Sequence, residues 1–166
     1  DMGATRAILA RELPIKDVAE IKQRVPEMEL ECFIHGAQCV SFSGRCLLSD
    51  YFTNGERKAN SGNCSQPCRW SYKLVEETRP GQYYEINQDE RGSHILSPKD
   101  LCLVKHLKEM IDAGVDSFKV EGRTKSLYYV SAVAKTYRAA IDEIMANPDA
   151  DMEKYFLELK KVGNRG

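Results

Sequence analysis

No run of about eighteen apolar residues occurs in this chain, so nothing in it spans a membrane as a helix. An excess of charge of one sign is also missing. The 24 Lys and Arg against 25 Asp and Glu leave a net charge of −1, which argues against a dominant nucleic-acid footprint on this stretch but not on parts outside it. There is no GxGxxG, no P-loop, no HExxH and no G-x-S-x-G, so the common nucleotide-binding, zinc-protease and serine-hydrolase signatures are out. Internal repeats and low-complexity tracts are absent as well. The chain starts at Asp1 with no charged-then-apolar segment after it, and it stops at Gly163-Asn164-Arg165-Gly166. It reads as a piece of a longer protein.

What is present is an ordinary globular mixture, 42% apolar and 30% charged over 166 residues, enough for one domain with a real core. Residues 6–13, RAILAREL, read as a buried strand closed by Pro14. Val18, Ile21 and Val25 lie at helical spacing in 16–25, and Pro26 stops that helix. Residues 30–37, LECFIHGA, read as a second buried strand. Strand, helix and strand in about thirty residues predict a right-handed βαβ unit with parallel strands.

Residues 71–96 read as short antiparallel strands with turns at Arg79-Pro80-Gly81 and Glu90-Arg91-Gly92. Ser97-Pro98-Lys99-Asp100 is a helix start, with Leu101, Val104, Leu107 and Ile111 as its stripe and Gly114 as its C-terminal cap. Residues 115–120 form a third strand. Leu127, Val130, Ala134, Tyr137, Ile141 and Ile144 mark a long helix stopped by Asn147-Pro148, and a last helix covers 151–161. The expected organisation is therefore 1–70, a βαβ unit plus a Cys-rich loop; 71–96, a β insertion; and 97–166, the final βα elements and helices.

Four cysteines stand out: Cys39, Cys46, Cys64 and Cys68, spaced C-x6-C, C-x17-C and C-x3-C among glycines and small polar residues. Such a segment has little apolar matter with which to fold itself, and a metal or iron–sulfur cluster bound by the thiolates accounts for it. Disulfides fit less well, since a chain this large and this rich in amphipathic helix needs no staples. Structural zinc favours C-x2-4-C knuckles, which only Cys64 and Cys68 satisfy, so the spacing favours a cluster with zinc as the alternative. Cys32 reads as a small hydrophobe inside a strand. Cys102, on the first turn of a predicted helix, is either core or a substitute or additional ligand.

Each buried strand ends in reactive side chains: Arg11 and Glu12, then His35, then Glu121 and Arg123. In parallel α/β sheets and barrels the carboxyl ends of neighbouring strands line the site. Plainer readings stand beside this one. His35 could cap a strand, Arg11 and Glu12 could pair with each other, and Lys119 could lie half-buried on a strand face. Gly122 between two opposite charges permits close backbone approach. Glu12, His35 and Glu121 are the candidate proton-handling groups, and Arg11, Lys119 and Arg123 the candidate anion-binding ones.

The blocks HGAQCVSFSGRCLLSDYF, NSGNCSQPCRW, SPKDL and VDSFKVEGRTKSLYYV closely resemble the collagenase-like peptidase family of unknown catalytic type, over nearly the whole chain. They look most like the branch that supports prephenate-dependent 5-hydroxylation of the tRNA wobble uridine. The resemblance implies a partial TIM-like (β/α) barrel fragment with a Cys-rich loop and a small antiparallel β excursion. It implies a 4Fe-4S cluster on Cys39, Cys46, Cys64 and Cys68, with Cys102 as the alternative fourth ligand. It also implies prephenate as a co-substrate, tRNA as the partner of the full-length protein, a homo- or hetero-oligomer with a related subunit, no membrane, and a cytoplasmic location. Two other expectations are a collagenase-type peptidase and a non-catalytic zinc-stabilised interaction module.

Overall fold

The computed structural model describes residues 3–70, 72–84 and 99–163. It divides into two compact units, Asp1–Gln38 with Lys99–Gly166, and Cys39–Pro98.

In the first unit the predicted βαβ order holds. β1 (Arg6–Ile8) leads through α1 (Ile15–Arg24) to β2 (Glu29–Gly36). β1 is shorter than RAILAREL suggested: Leu9 still donates to the Glu31 carbonyl at 2.9 Å, and the chain then turns at Arg11 and Glu12. β2 pairs in parallel with β1 on one edge and with β6 (Ser117–Glu121) on the other. β5 (Leu101–Cys102) lies antiparallel to β2 at His35 and Gly36. Because β6 already occupies the other edge at those two residues, β5 takes the β1 edge, past the end of that strand.

This corrects two expectations. The fold is a small, open, mostly parallel four-stranded sheet, not a TIM-like barrel fragment. β2 is its centre, and closing a barrel takes about eight tilted strands. Leu101 and Cys102 are strand, not the first turn of a helix. The edge of β2 recruits their backbone, and the helix forms only afterwards, as a 3-10 turn at Val104–His106 and α3 (Leu107–Asp112). Gly114, the expected stop, ends it with φ +83°.

α4 (Leu127–Ala146) and α5 (Glu153–Lys160) follow. The Ser126 hydroxyl caps α4 by accepting from the Tyr129 N–H at 3.2 Å, a contact worth about 1 kcal/mol. The buried stripe of α4 is Tyr129, Val133, Tyr137, Ala140 and Ile144. Of the expected stripe, Leu127 is 82% exposed and Ala134 is exposed too. The helix is rotated so that Tyr129 and Tyr137, not Leu127, face the sheet, while Tyr128 is 74% exposed.

Alternation sorts the strands into two faces. Leu30, Cys32 and Ile34 of β2 join residues of α1, α3, α4 and α5 in one apolar core. Glu29, Glu31 and Phe33 lie on the other face, in register with Arg6 and Ile8 on one side and Ser117 and Lys119 on the other. At the amino end of the sheet, Asp116 holds three elements together. Its carboxylate accepts from Lys22 at 2.8 Å and from the Leu30 N–H at 2.9 Å, and these bonds hold its pKa below the usual carboxylate value.

In the second unit, α2 (Leu48–Phe52) and three 3-10 turns build the cysteine loop. Of the expected 71–96 excursion, the structure describes one two-residue ladder, β3 (Leu74–Val75) with β4 (Tyr83–Tyr84). The Glu90-Arg91-Gly92 turn, the strand after it and the Ser97-Pro98 helix start lie outside the described residues.

Candidate functional site

The first unit gathers side chains at the carboxyl ends of β2 and β6. The parallel ladder slips between Phe33 and His35, so that His35, not Ile34, is the partner of Val120. The slip moves His35 off the face of Glu31 and Phe33 and turns it toward α4. His35 is 2% exposed. Its ring lies 5.4 Å from that of Tyr137, edge-on, and 6.0 Å from that of Tyr129. The Tyr137 hydroxyl donates to the Ile34 carbonyl at 2.9 Å and stands 3.3 Å from His35 Nδ1 and 3.8 Å from Cys102 Sγ.

His35 Nε2 is buried with no hydrogen-bond partner among the described residues. Burial lowers the His35 pKa to about 4; Asp100 opposes the shift and Lys125 adds to it. The imidazole is therefore neutral at pH 7. Burial also raises the Tyr137 pKa, with Cys102 adding to the effect. Lys125 reaches Asp100 at 3.5 Å and stands 4.7 Å over the Tyr129 ring.

The opposite face carries Arg11, Glu31, Lys119 and Glu121. Arg11 pairs with Glu121 at 3.4 Å and lies 3.8 Å over the Phe33 ring. Glu12 is exposed in the turn after β1. Glu121 also accepts from the Arg123 N–H at 2.9 Å, while the Arg123 side chain is exposed. Lys119 donates to Glu31 at 2.9 Å, and Ser117 donates to the same carboxylate at 3.0 Å. These two bonds, with Arg6 nearby, pull the Glu31 pKa down.

The fold thus brings Arg11 to Glu121 and Lys119 to Glu31, and it sets His35 apart on the helix face. Glu31, Phe33, Asp100, Lys125 and Tyr137 were not singled out as site residues. A charged residue inside an otherwise apolar strand was the available signal for Glu31, whereas Asp100 and Lys125 carry none without the fold.

In the second unit none of the four loop cysteines is in a disulfide. The side chain of Ser49, fully buried, ties the loop together. It accepts from the Ser65 N–H at 2.9 Å and meets the Ser65 hydroxyl at 3.0 Å, so the helix after Cys46 is fixed to the segment after Cys64. Arg57 donates to the Cys64 carbonyl at 3.1 Å.

Three sulfurs each accept a backbone N–H from two residues on. Ser41 donates to Cys39 at 3.4 Å, Leu48 to Cys46 at 3.4 Å and Gln66 to Cys64 at 3.2 Å. Gln66 does so from a left-handed backbone, φ 59°, a conformation that costs about 1 kcal/mol or more for a residue with a side chain. Burial raises the Cys68 pKa; Arg69 opposes this, and Cys39, Cys64 and Cys46 act on the thiol as electrostatic neighbours.

N–H donors aimed at soft sulfur atoms are the chemistry that thiolate ligation of iron–sulfur or zinc requires, so the donor types, though not yet their arrangement, fit such a group. Among the described residues, no three His, Cys, Asp or Glu side chains are already arranged to hold a metal ion. Cys102 lies in the first unit, on β5 beside His35.

Against known proteins, the model of Peptidase family U32 matches residues 1–166, and the chain belongs to that family. It is 38% identical to the tRNA hydroxylation protein P of Escherichia coli (strain K12) over 90% of this chain and 41% of that protein. It is 44% identical to an uncharacterized protease of Methanocaldococcus jannaschii over 98% of this chain and 40% of that protein. It is 41% identical to the 23S rRNA 5-hydroxycytidine C2501 synthase of Escherichia coli over 87% of this chain and 21% of that protein. The chain thus spans about two fifths, or less, of the length of these curated relatives. No solved structure matches it.

Proposed function

We propose that this chain is the cysteine-bearing part of an RNA-hydroxylating enzyme, acting in the cytoplasm on the wobble uridine of tRNA. The observation that carries the reading is the loop with three N–H donors aimed at Cys39, Cys46 and Cys64 and with Cys68 among them, in a chain whose relatives include a tRNA hydroxylation protein and an rRNA 5-hydroxycytidine synthase. Replacing a pyrimidine C5–H by C5–OH is a two-electron oxidation, and it needs an oxygen donor and a two-electron acceptor besides this chain's own side chains. A 4Fe-4S cluster, when bound to these four thiolates, supplies one-electron transfer, a function that peptide hydrolysis does not call for.

The remaining residues bind and orient. Arg11, stacked on Phe33 and held by Glu121, offers a guanidinium fixed in place for a carboxylate such as those of prephenate. The exposed side chain of Arg123 adds a second cation. Glu121 sets Arg11 and the Arg123 backbone together. Neutral His35 holds its Nε2, unpartnered among the described residues, against the apolar face, available for one proton at that atom.

The test is deletion of the gene, followed by mass-spectrometric measurement of 5-hydroxyuridine in tRNA. Loss of the modification, restored by the wild-type protein and not by a Cys39→Ser/Cys46→Ser variant, is expected; unchanged levels reject the reading. Cleavage of gelatin by the purified protein under reducing, anaerobic conditions would favour the peptidase activity that the family name carries.

A further inference from the structure

Aromatic side chains in the second unit are exposed to an unusual degree. Tyr51 is 77% exposed, Phe52 43% and Trp70 41%. They form a single set around Phe52, whose ring lies 5.4 Å from Tyr51, 5.6 Å from Trp70 and 6.3 Å from Tyr72. The set is built rather than incidental. Tyr51 and Phe52 end the helix that Ser49 fastens to Ser65, and the Tyr72 hydroxyl donates to the Pro67 carbonyl at 2.5 Å. The exposure of Tyr51, Phe52 and Trp70 leaves ring surface open to a partner.

Charge accompanies the rings. Between Cys39 and Lys73 stand five cations, Arg45, Arg57, Lys58, Arg69 and Lys73, against two anions, Asp50 and Glu56, although the whole chain carries −1. Among the described residues Arg45, Arg57 and Lys58 form no ion pair with a carboxylate. Exposed rings interleaved along the sequence with unneutralised cations are what an unpaired nucleic-acid strand needs, with bases stacking on the rings and phosphates meeting the cations. A paired duplex hides its base faces and cannot use the rings.

We infer that Tyr51, Phe52, Trp70 and Tyr72, with Arg45 and Lys58, form a stacking platform for the unpaired bases of an RNA loop. The inference rests on the RNA-hydroxylation reading and adds the surface that grips the substrate. The platform rings stand five and six residues after Cys46 and two and four after Cys68, so the bases are held beside the thiol loop.

Binding of a labelled tRNA anticodon stem-loop to the purified protein, read by fluorescence anisotropy, tests it. A blunt RNA duplex of equal length is the comparison, and thermal melts confirm that each variant is folded. Tyr51→Ala and Trp70→Ala are expected to weaken stem-loop binding on the order of tenfold each, and the duplex to bind more weakly than the loop. Arg45→Ala is expected to make the logarithmic salt slope shallower by about 0.7. Wild-type affinity in folded Tyr51→Ala and Trp70→Ala, or equal binding of loop and duplex, overturns the platform, as does binding of acidic peptides without RNA. The two readings fail separately. If Tyr51→Ala binds normally and restores 5-hydroxyuridine to a deletion strain, the platform falls and the hydroxylation reading stands. If deletion leaves 5-hydroxyuridine unchanged while the ring variants still lose the stem-loop, the chemistry falls and the platform stands.

Discussion

Replacing Gly36 by alanine adds one methyl group where β2 pairs with Glu121 of β6. A Cβ at that position lies 2.3 Å from the Glu121 carbonyl oxygen and 2.9 Å from the Glu121 Cβ, on a backbone with φ +107°. Two costs follow. A residue with a side chain pays about 1–2 kcal/mol for left-handed backbone. The clash is with main chain, which has no rotamer to move, so the strand ends must part by about 1 Å to reach ordinary contact, at a cost of about 1–3 kcal/mol. The sum, about 2–5 kcal/mol, is a large share of the stability of a small domain. Urea unfolding of Gly36→Ala against wild type measures it. Amide exchange should quicken at Val120 and Glu121 and stay unchanged at Ala7, whose pairing partner is Leu30. A loss below about 1 kcal/mol, or no change in exchange at β6, refutes the argument that this glycine is what lets Glu121 sit against β2.

Tyr137→Phe removes the donor to the buried Ile34 carbonyl and should cost about 1–3 kcal/mol in urea unfolding; a neutral result means the hydroxyl is not part of what orders the His35 neighbourhood. His35 should titrate near pH 4 by NMR. Its folded pKa lies below the unfolded value of 6.5, so its contribution to stability is whole above pH 6.5 and is lost as the pH falls through about 4, by about 2 kcal/mol between pH 7 and pH 5. His35→Gln should remove that part of the pH dependence, and an imidazole titrating near 6.5 contradicts the burial. Anaerobically purified protein should contain iron and acid-labile sulfide, both lost in Cys39→Ser/Cys46→Ser, whereas one equivalent of zinc without iron points to the structural-metal alternative.

Local pattern made much of this protein legible. The βαβ order, the stop at Gly114 and the long helix of Leu127–Ala146 each depend on residues near one another in the chain, and periodicity and caps report such features directly. The sheet's openness was not legible, because it depends on which strand takes which edge of β2. Leu101 and Cys102 carried a helical stripe, and tertiary pairing with His35 and Gly36 overrode it. The rotation of α4 that exposes Leu127 and buries Tyr129 follows from the sheet it packs on.

The sequence alone determined the chemistry available: soft sulfur donors in one loop, cations and carboxylates after apolar strands, and the family to which the chain belongs. Only the tertiary structure decided which of those groups meet. Arg11 pairs with Glu121, 110 residues away. A one-residue slip in the ladder carries His35 to the helix face, away from the charges it was expected to join. Register and edge pairing are contacts between distant segments, and a single-residue slip reverses the face of a side chain without changing any local pattern.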